Sequence, residues 1–372
     1  MLNLKNLALL TVVTLVVVVA AVYVTRHKTE DDLEHPHKVF PELAKTLNDV
    51  ADIHIKTETE DYHITRQDTR WGLQEKADYP VDIRQVRKVL LGLANLNILE
   101  AKTRNPALYA KLGLQDVEKE GSKAMQVTLS DKQGTTLGSL VLGRQQPAKT
   151  DATQREVYLR KPGDPQTWLA MGALNIPRFQ IDWLNRQIVH IKGDRVQEVS
   201  VYHPDGETVV VRKDQPDAEY VLMDMPADAS LKSQAALANL AHGLDSLIIN
   251  DVFPAAAVVD LLADQPITTS VFTTFDGLRV TVDLTDKDGT SYVQLSAQFI
   301  GEATPPSEAE AEETTKQREK DQQAMQEAED LNSRLKDWIF VISPYKAKAL
   351  ARHYADLVDM KSTPAPAADA PQ

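Results

Sequence analysis

Hydrophobic positions follow three different patterns along the chain. The first is a continuous run, Asn6 to Thr25 (NLALLTVVTLVVVVAAVYVT), without charge, proline or glycine, set between Lys5 and the pair Arg26 and Lys28. A bilayer core of about 30 Å needs roughly 20 apolar residues, so the run predicts a transmembrane helix over 6–25. A cleaved signal has a shorter apolar core, about 7–15 residues. Ala20 and Ala21 would suit a cleavage site, but the length favours an anchor. Basic residues on both sides give no clean orientation. The short tail 1–5 is expected to stay inside and the large C-terminal part to be exported. Residues 26–49, charged and carrying His35, Pro36 and His37, read as a juxtamembrane stalk.

The second pattern is short-range alternation, the mark of half-buried strands. It begins with Val50, Ile53 and Ile55, continues at Tyr62 and Ile64, and then at Trp71 and Leu73. The third is helical spacing. In YPVDIRQVRKVLLGLANLNILEA, Asp82 suits an N-cap, and Ile83, Val86, Leu90, Leu93 and Leu96 form one apolar stripe opposite Arg84, Arg87 and Lys88. A short second helix is expected over Pro106 to Leu112, closed by Gly113. Strands return with MQVTLSDKQGTTLGSLVLG, turning at Asp131 to Gly134, and with REVYLR.

This order of elements occurs twice. Val199 and Val201, the turn His203 to Gly206, Val209 to Val211, and Tyr220 with Leu222 repeat the opening strands, and a helix follows Ser230. With a shift of 148 positions, Ile83 falls on Leu231, Val89 on Leu237, Leu96 on Leu244, Leu99 on Leu247 and Pro106 on Pro254. Strands over 270–275, 278–284 and 292–299 complete the second copy. A duplicated unit explains both the register and the shared order. The expected organisation is therefore a tail (1–5), a transmembrane helix (6–25), a stalk (26–49), a first lobe (50–190), a second lobe (191–359) and a disordered end (360–372). The fold class expected is α+β, two related lobes of mostly antiparallel sheet with helices on one face.

One segment, 301–337, breaks the symmetry. It enters through Pro305 and Pro306 and holds eleven acids against five bases, about half of the chain's formal net charge of -13. Its apolar series, Ala324, Ala328, Leu331 and Leu335, suits a solvated helix lying along the domain, so removing the segment is expected to leave the core intact. After Trp338 to Ser343, Pro344 starts another helix.

Composition narrows the function. There is no cysteine, hence no disulfide, no thiolate metal site and no cysteine nucleophile. The acidic balance argues against a nucleic-acid partner. Phosphate-loop, nucleophile-elbow, HExxH and dinucleotide motifs are all missing. His35 and His37 lack a third ligand nearby. Asp283, Asp286 and Asp288 before Gly289 suggest a calcium loop, but the ligand alternation would start at Leu284, and the stretch suits a hairpin turn better. His54, His63, His190 and His203 are scattered, with no recognisable base, nucleophile and acid constellation. The sequence thus assigns no catalytic residue, no cofactor-binding residue and no metal ligand, and no cofactor is expected.

RWGL at Arg70–Leu73, YPVD at Tyr79–Asp82, LLGLANL in the helix, NPALYAKLGL at Asn105–Leu114, LVLG at Leu140–Gly143 and REVYLR at Arg155–Arg160 together resemble the domain of unknown function 4340 family. The resemblance covers most of the chain from about Val50, the second half as a diverged copy. It implies a membrane-anchored bacterial protein; with the single apolar run and the short tail, the expectation is a single-pass inner-membrane protein with its C-terminal region periplasmic. It also implies a protein of a kind often encoded near auxiliary parts of ABC-2-type transporters of the gliding-motility kind. It carries no catalytic residues. The function expected is a non-enzymatic accessory or scaffold protein of an envelope transport complex, with the membrane and ABC-type transporter subunits as partners. A module binding a small or lipidic ligand between the lobes is the alternative, and a hydrolase with an unrecognised site the third reading.

Overall fold

The computed structural model describes residues 37–148, 151–226, 229–301 and 312–360, together with positions 14, 17 and 18. Apart from those three positions, the transmembrane helix expected over 6–25 lies outside the described residues, as do residues 26–36 of the expected stalk and the end of the chain. Among the described residues no helix is long and apolar enough to cross a membrane. The chain divides into two compact units, meeting in sequence at Trp183 and Leu184.

The first unit holds a ten-stranded sheet. Its strands are β1 (His37–Lys38), β2 (Val50–Lys56), β3 (Asp61–Gln67), β4 (Arg70–Leu73), β5 (Tyr79–Pro80), β6 (Asn97–Ala101), β7 (Met125–Asp131), β8 (Thr136–Pro147), β9 (Arg155–Arg160) and β10 (Thr167–Met171). They lie in the order β1, β6, β10, β9, β8, β7, β2, β3, β4, β5. Its helices are α1 (Leu43–Thr46), α2 (Ile83–Ala94) and α3 (Tyr109–Leu112). Asp82 caps α2 as its residue type demands, accepting from the Arg84 N–H at 2.9 Å. The helix buries Val86, Val89, Leu90 and Leu93 and leaves Arg84, Arg87 and Lys88 in solvent. Ile83, placed on the apolar stripe by its spacing, is exposed in the first turn. Gly113 closes α3 in the left-handed region, φ 71°. A Cβ there would also stand only 3.1 Å from the Arg144 nitrogen, so glycine serves both the cap and the close approach of strand β8.

The second unit holds a nine-stranded sheet: β11 (Gln187–Val189), β12 (Val196–Tyr202), β13 (Thr208–Arg212), β14 (Val221–Leu222), β16 (Leu247–Pro254), β17 (Ile267–Thr274), β18 (Leu278–Lys287), β19 (Thr290–Phe299) and β20 (Trp338–Ile342). A separate pair joins β15 (Ala229–Leu231) to β21 (Val358–Met360). The order β11, β16, β20, β19, β18, β17, β12, β13, β14 repeats the first sheet strand for strand, with β5 alone lacking a counterpart. Every pairing in both sheets is antiparallel among the described residues. The helices are α4 (Gln234–Ala241), α5 (Ala255–Leu262), α6 (Glu312–Leu335), α7 (Pro344–Leu350) and α8 (Tyr354–Leu357).

Antiparallel partners share a face, so Phe272, Val280 and Ala297 lie on one side of this sheet. Leu331 and Leu335 of α6 meet Val280, Leu295 and Ala297 there. On the same face, Ser270 donates to the Leu350 carbonyl of α7 at 2.8 Å. The second lobe is thus one sheet with α6 and α7 on one face.

Four expectations change. Residues from 37 on, expected in the stalk, instead belong to the first unit, because β1 pairs with β6 and both Val39 and Leu43 are buried. The boundary between units falls at 183/184 rather than 190/191, since Gln187–Val189 is already the terminal strand of the second sheet. Leu99 is exposed whereas Leu247 is buried, so the 148-residue register that holds for the pair Leu96 and Leu244, both fully buried, slips in the following strand. Finally, α6 is not a detachable arm. Ala324, Ala328, Leu331 and Leu335 are all buried. Asn332 clips onto β19, accepting from the Ala297 N–H at 2.9 Å and donating to its carbonyl at 2.6 Å. That part of β19 lies beyond its pairing with β20, which spans Ser291 to Val293. The inserted helix therefore takes up backbone groups on an open strand edge as well as apolar surface.

Candidate functional site

Three places in the described structure gather chemistry. In the first unit, β2 and β3 set His54 opposite His63. The rings stack with centroids 4.1 Å apart and planes within 5°. Each ring has its own carboxylate: His54 Nε2 meets Asp61 at 2.6 Å and His63 Nδ1 meets Asp52 at 2.9 Å. The hydrogen bond to His54 holds the Asp61 carboxyl below its usual range. These contacts pair off locally on the outer face of a hairpin whose other face buries Ile53, Ile55, Tyr62 and Ile64.

The second place is the turn between β12 and β13. Its chain reversal, His203 N–H to the Glu207 carbonyl at 2.9 Å and Gly206 N–H to the His203 carbonyl at 3.0 Å, extends the ladder beyond Tyr202 and Thr208 by one more facing pair, His203 and Glu207. The segment between α7 and α8 delivers His353 against them. One nitrogen of each ring and a Glu207 oxygen lie within 4.8 Å of one another.

The third is a groove of about 710 Å³ in the second unit. One wall is β11 with the residues beside it, Asn185 to Ile191, and the other is α6, through Gln323, Gln326, Asp330, Leu331 and Arg334. The strand bordering it ends the sheet. Arg334 Nη1 reaches the Ile188 carbonyl across the groove at 3.5 Å. His190, at the rim, meets the Asp245 carbonyl through Nδ1. Asp245 in turn accepts from the Gly193 N–H and meets His242, each at 2.6 Å.

The aspartates that suggest a calcium loop have other tasks. Asp283 accepts from Thr269 at 2.6 Å and Asp286 from Ser291 at 2.5 Å. Asp288 and Gly289, at φ 51° and 77°, form the two-residue turn between the paired Lys287 and Thr290. His37 lies on the exposed edge strand β1. The His203, Glu207 and His353 group escaped sequence reasoning because His353 comes about 150 residues after the turn. The signal within reach was HPDGE itself, since a turn of that length sets its first and last side chains across from each other.

The family model described as domain of unknown function (DUF4340) matches residues 71–266. The chain belongs to this family. The match begins in β4, spans the rest of the first sheet and runs into the second copy, ending just before β17, so the DUF4340 family pattern crosses the boundary between the two units. It therefore contains the groove's β11 wall and the HPDGE turn, but neither α6 nor His353. Comparison with curated proteins and with solved structures gave no match.

Proposed function

We propose that this DUF4340 protein is a non-enzymatic accessory subunit, anchored in the inner membrane by residues 6–25, that holds a segment of another envelope protein against its periplasmic second lobe. The reading rests on the groove between β11 and α6. Peptide recognition by strand addition uses a sheet edge for main-chain hydrogen bonds and a neighbouring surface for side chains. Here a terminal strand and a helix wall face each other across about 710 Å³. The walls mix aliphatic side chains (Ile188, Val189, Leu331) with amides (Gln187, Gln323, Gln326), a lining that suits a main chain with mixed side chains better than a compact apolar molecule. The family resemblance supplies the setting, an ABC-type transport complex of the envelope.

The test is site-specific photocrosslinking in native membranes. A crosslinking side chain at Gln187 or Gln326 is expected to capture a membrane-protein subunit. The same group at Lys88, on the exposed face of α2, serves as the background. Capture no stronger at the groove than at Lys88 defeats the proposal. A reporter active only in the periplasm, fused after Gln372, is expected to be active, and activity of a cytoplasm-only reporter instead reverses the orientation.

A further inference from the structure

The HPDGE turn and the segment before α8 bring together two imidazoles and a carboxylate from distant parts of the second lobe. His353 Nδ1 lies 3.4 Å from Glu207 Oε1, and His203 Nε2 lies 4.0 Å from the same oxygen. A tetrahedral zinc ion with bonds of about 2.0–2.1 Å spaces its ligand atoms roughly 3.3 Å apart. One edge of such a site therefore already has its length, and the remaining separations, all within 4.8 Å, need only a modest closing.

The three groups are also held from behind. The His203 side chain is 1% exposed, and its Nε2 lies 3.1 Å from the Arg352 carbonyl. A carbonyl can only accept, so this contact places a hydrogen on Nε2, and binding an ion through Nε2 requires that hydrogen to leave and the Arg352 carbonyl to be released. Glu207 Oε1 accepts from the Tyr354 N–H at 2.5 Å. His353 is the N-cap of α8, its own N–H donating to Asp356 at 3.3 Å. The Tyr354 N–H and the cap of α8 fix the Glu207 oxygen and the His353 backbone, as supporting hydrogen bonds orient ligands in protein metal sites.

We propose that His203, Glu207 and His353 bind one divalent transition ion of the zinc class, which fastens the C-terminal segment to the β12–β13 turn. Two neutral imidazoles and one carboxylate match zinc, nickel or copper, whereas calcium and magnesium prefer all-oxygen sets. The ion adds to the attachments that segment already has, the β15–β21 pairing and the Lys232 bond to the Ala355 carbonyl at 2.7 Å. Besides freeing His203 Nε2, binding requires a ring to turn. The two rings are stacked, centroids 3.9 Å apart and planes 18° from parallel, and lone pairs in nearly parallel planes do not converge on one point. His203 is enclosed, whereas the His353 side chain is 52% exposed, so His353 is the ring that turns out of the stack.

The experiment uses the full chain in mild detergent with Co²⁺ and Zn²⁺ as probes. One equivalent of Co²⁺ is expected to give the visible absorption of a tetrahedral nitrogen and oxygen site, to be displaced by Zn²⁺, and Zn²⁺ is expected to raise the melting temperature. Losing a supporting partner costs roughly 10–100-fold in metal affinity, and His353→Ala or Glu207→Gln should cost at least that. His353 is exposed, so the metal-free variant keeps the parent's melting temperature, which separates lost binding from lost folding. His54→Ala, at the other stacked pair, is expected to bind as the parent does. Absence of saturable binding overturns the proposal, as does binding unchanged in both site variants, or binding lost in His54→Ala.

Discussion

The Arg195 guanidinium donates to the Glu327 carboxylate at 2.7 Å, tying the entrance of β12 to the middle of the inserted helix α6. The same guanidinium holds Asp276, in the β17–β18 turn, through Nε at 2.9 Å. One arginine thus joins three elements far apart in sequence, and all three side chains are at least two-thirds removed from solvent. Arg195→Met leaves two partly buried carboxylates without their cation. A hydrogen bond to a charged group is worth about 1.5–3 kcal/mol, and a loss of that order is expected in urea melts. Glu327→Gln, which keeps an acceptor, should cost clearly less, and equal losses for the two would mean that charge, not the loss of the donor, sets the effect.

The same cluster makes part of the second lobe's stability depend on pH. Burial raises the Asp276 carboxyl, but the hydrogen bonds from Arg195 and Thr274 outweigh it, and the group ends below its ordinary value of 3.8. A carboxyl whose folded value lies below its unfolded one stabilises the fold fully above the unfolded value, and the gain is lost as pH falls through the folded one. Arg195, raised by its two carboxylates despite burial, stays charged throughout. The advantage of the parent over Asp276→Asn in urea midpoint should therefore be constant from pH 7 to 5 and shrink toward pH 3. An advantage unchanged at pH 3 rules out Asp276 as the titrating group.

The inserted helix supplies a third test. Leu331 and Leu335 are buried on the face of β18 and β19, and Asn332 satisfies Ala297. Replacing 302–332 by a short glycine-serine link saves little loop entropy, about 0.6 kcal/mol per halving of length, and uncovers this surface. Leu331→Ala alone should cost about 2–5 kcal/mol. Asn332→Ala should cost about 1–3 kcal/mol, the usual toll for a buried polar group left without its partner. A deletion variant that melts with the parent would return α6 to the status of a solvated arm.

Much of the fold was legible because it depends on local chemistry. Asp82 caps α2, Gly113 ends α3, and Asp288 with Gly289 turns the β18–β19 hairpin, each through a property of the residue itself. Strand alternation located both sheets, and the order of elements showed their kinship. What stayed hidden depends on long-range packing. Spacing alone shows that Ala324, Ala328, Leu331 and Leu335 share a helix face, but not that a sheet waits opposite them. The stacked pairs of histidines were equally out of reach. His54 and His63 meet only once the register of β2 and β3 is fixed, and His203 meets His353 only when the chain's last helices return to the first hairpin of the lobe.

The kinship of the lobes can itself be tested through Leu96 and Leu244. Each follows a helix of its lobe by two or three residues, each is fully buried, and the 148-residue shift maps one onto the other. If the two are equivalent core positions, truncating either to alanine should cost about 2–5 kcal/mol, the range for a buried leucine. Lys88→Ala, on the exposed face of α2, should stay within about 0.5 kcal/mol. The chain forms two compact units, so each core change should also be local: hydrogen exchange should accelerate in β2, β7 and β8 for Leu96→Ala, and in β12, β17 and β18 for Leu244→Ala. The two variants should therefore show matching patterns in corresponding strands of different lobes. A Leu96→Ala as mild as Lys88→Ala, or a Leu244→Ala that loosens the first sheet instead of the second, would break the equivalence on which the duplicated architecture rests.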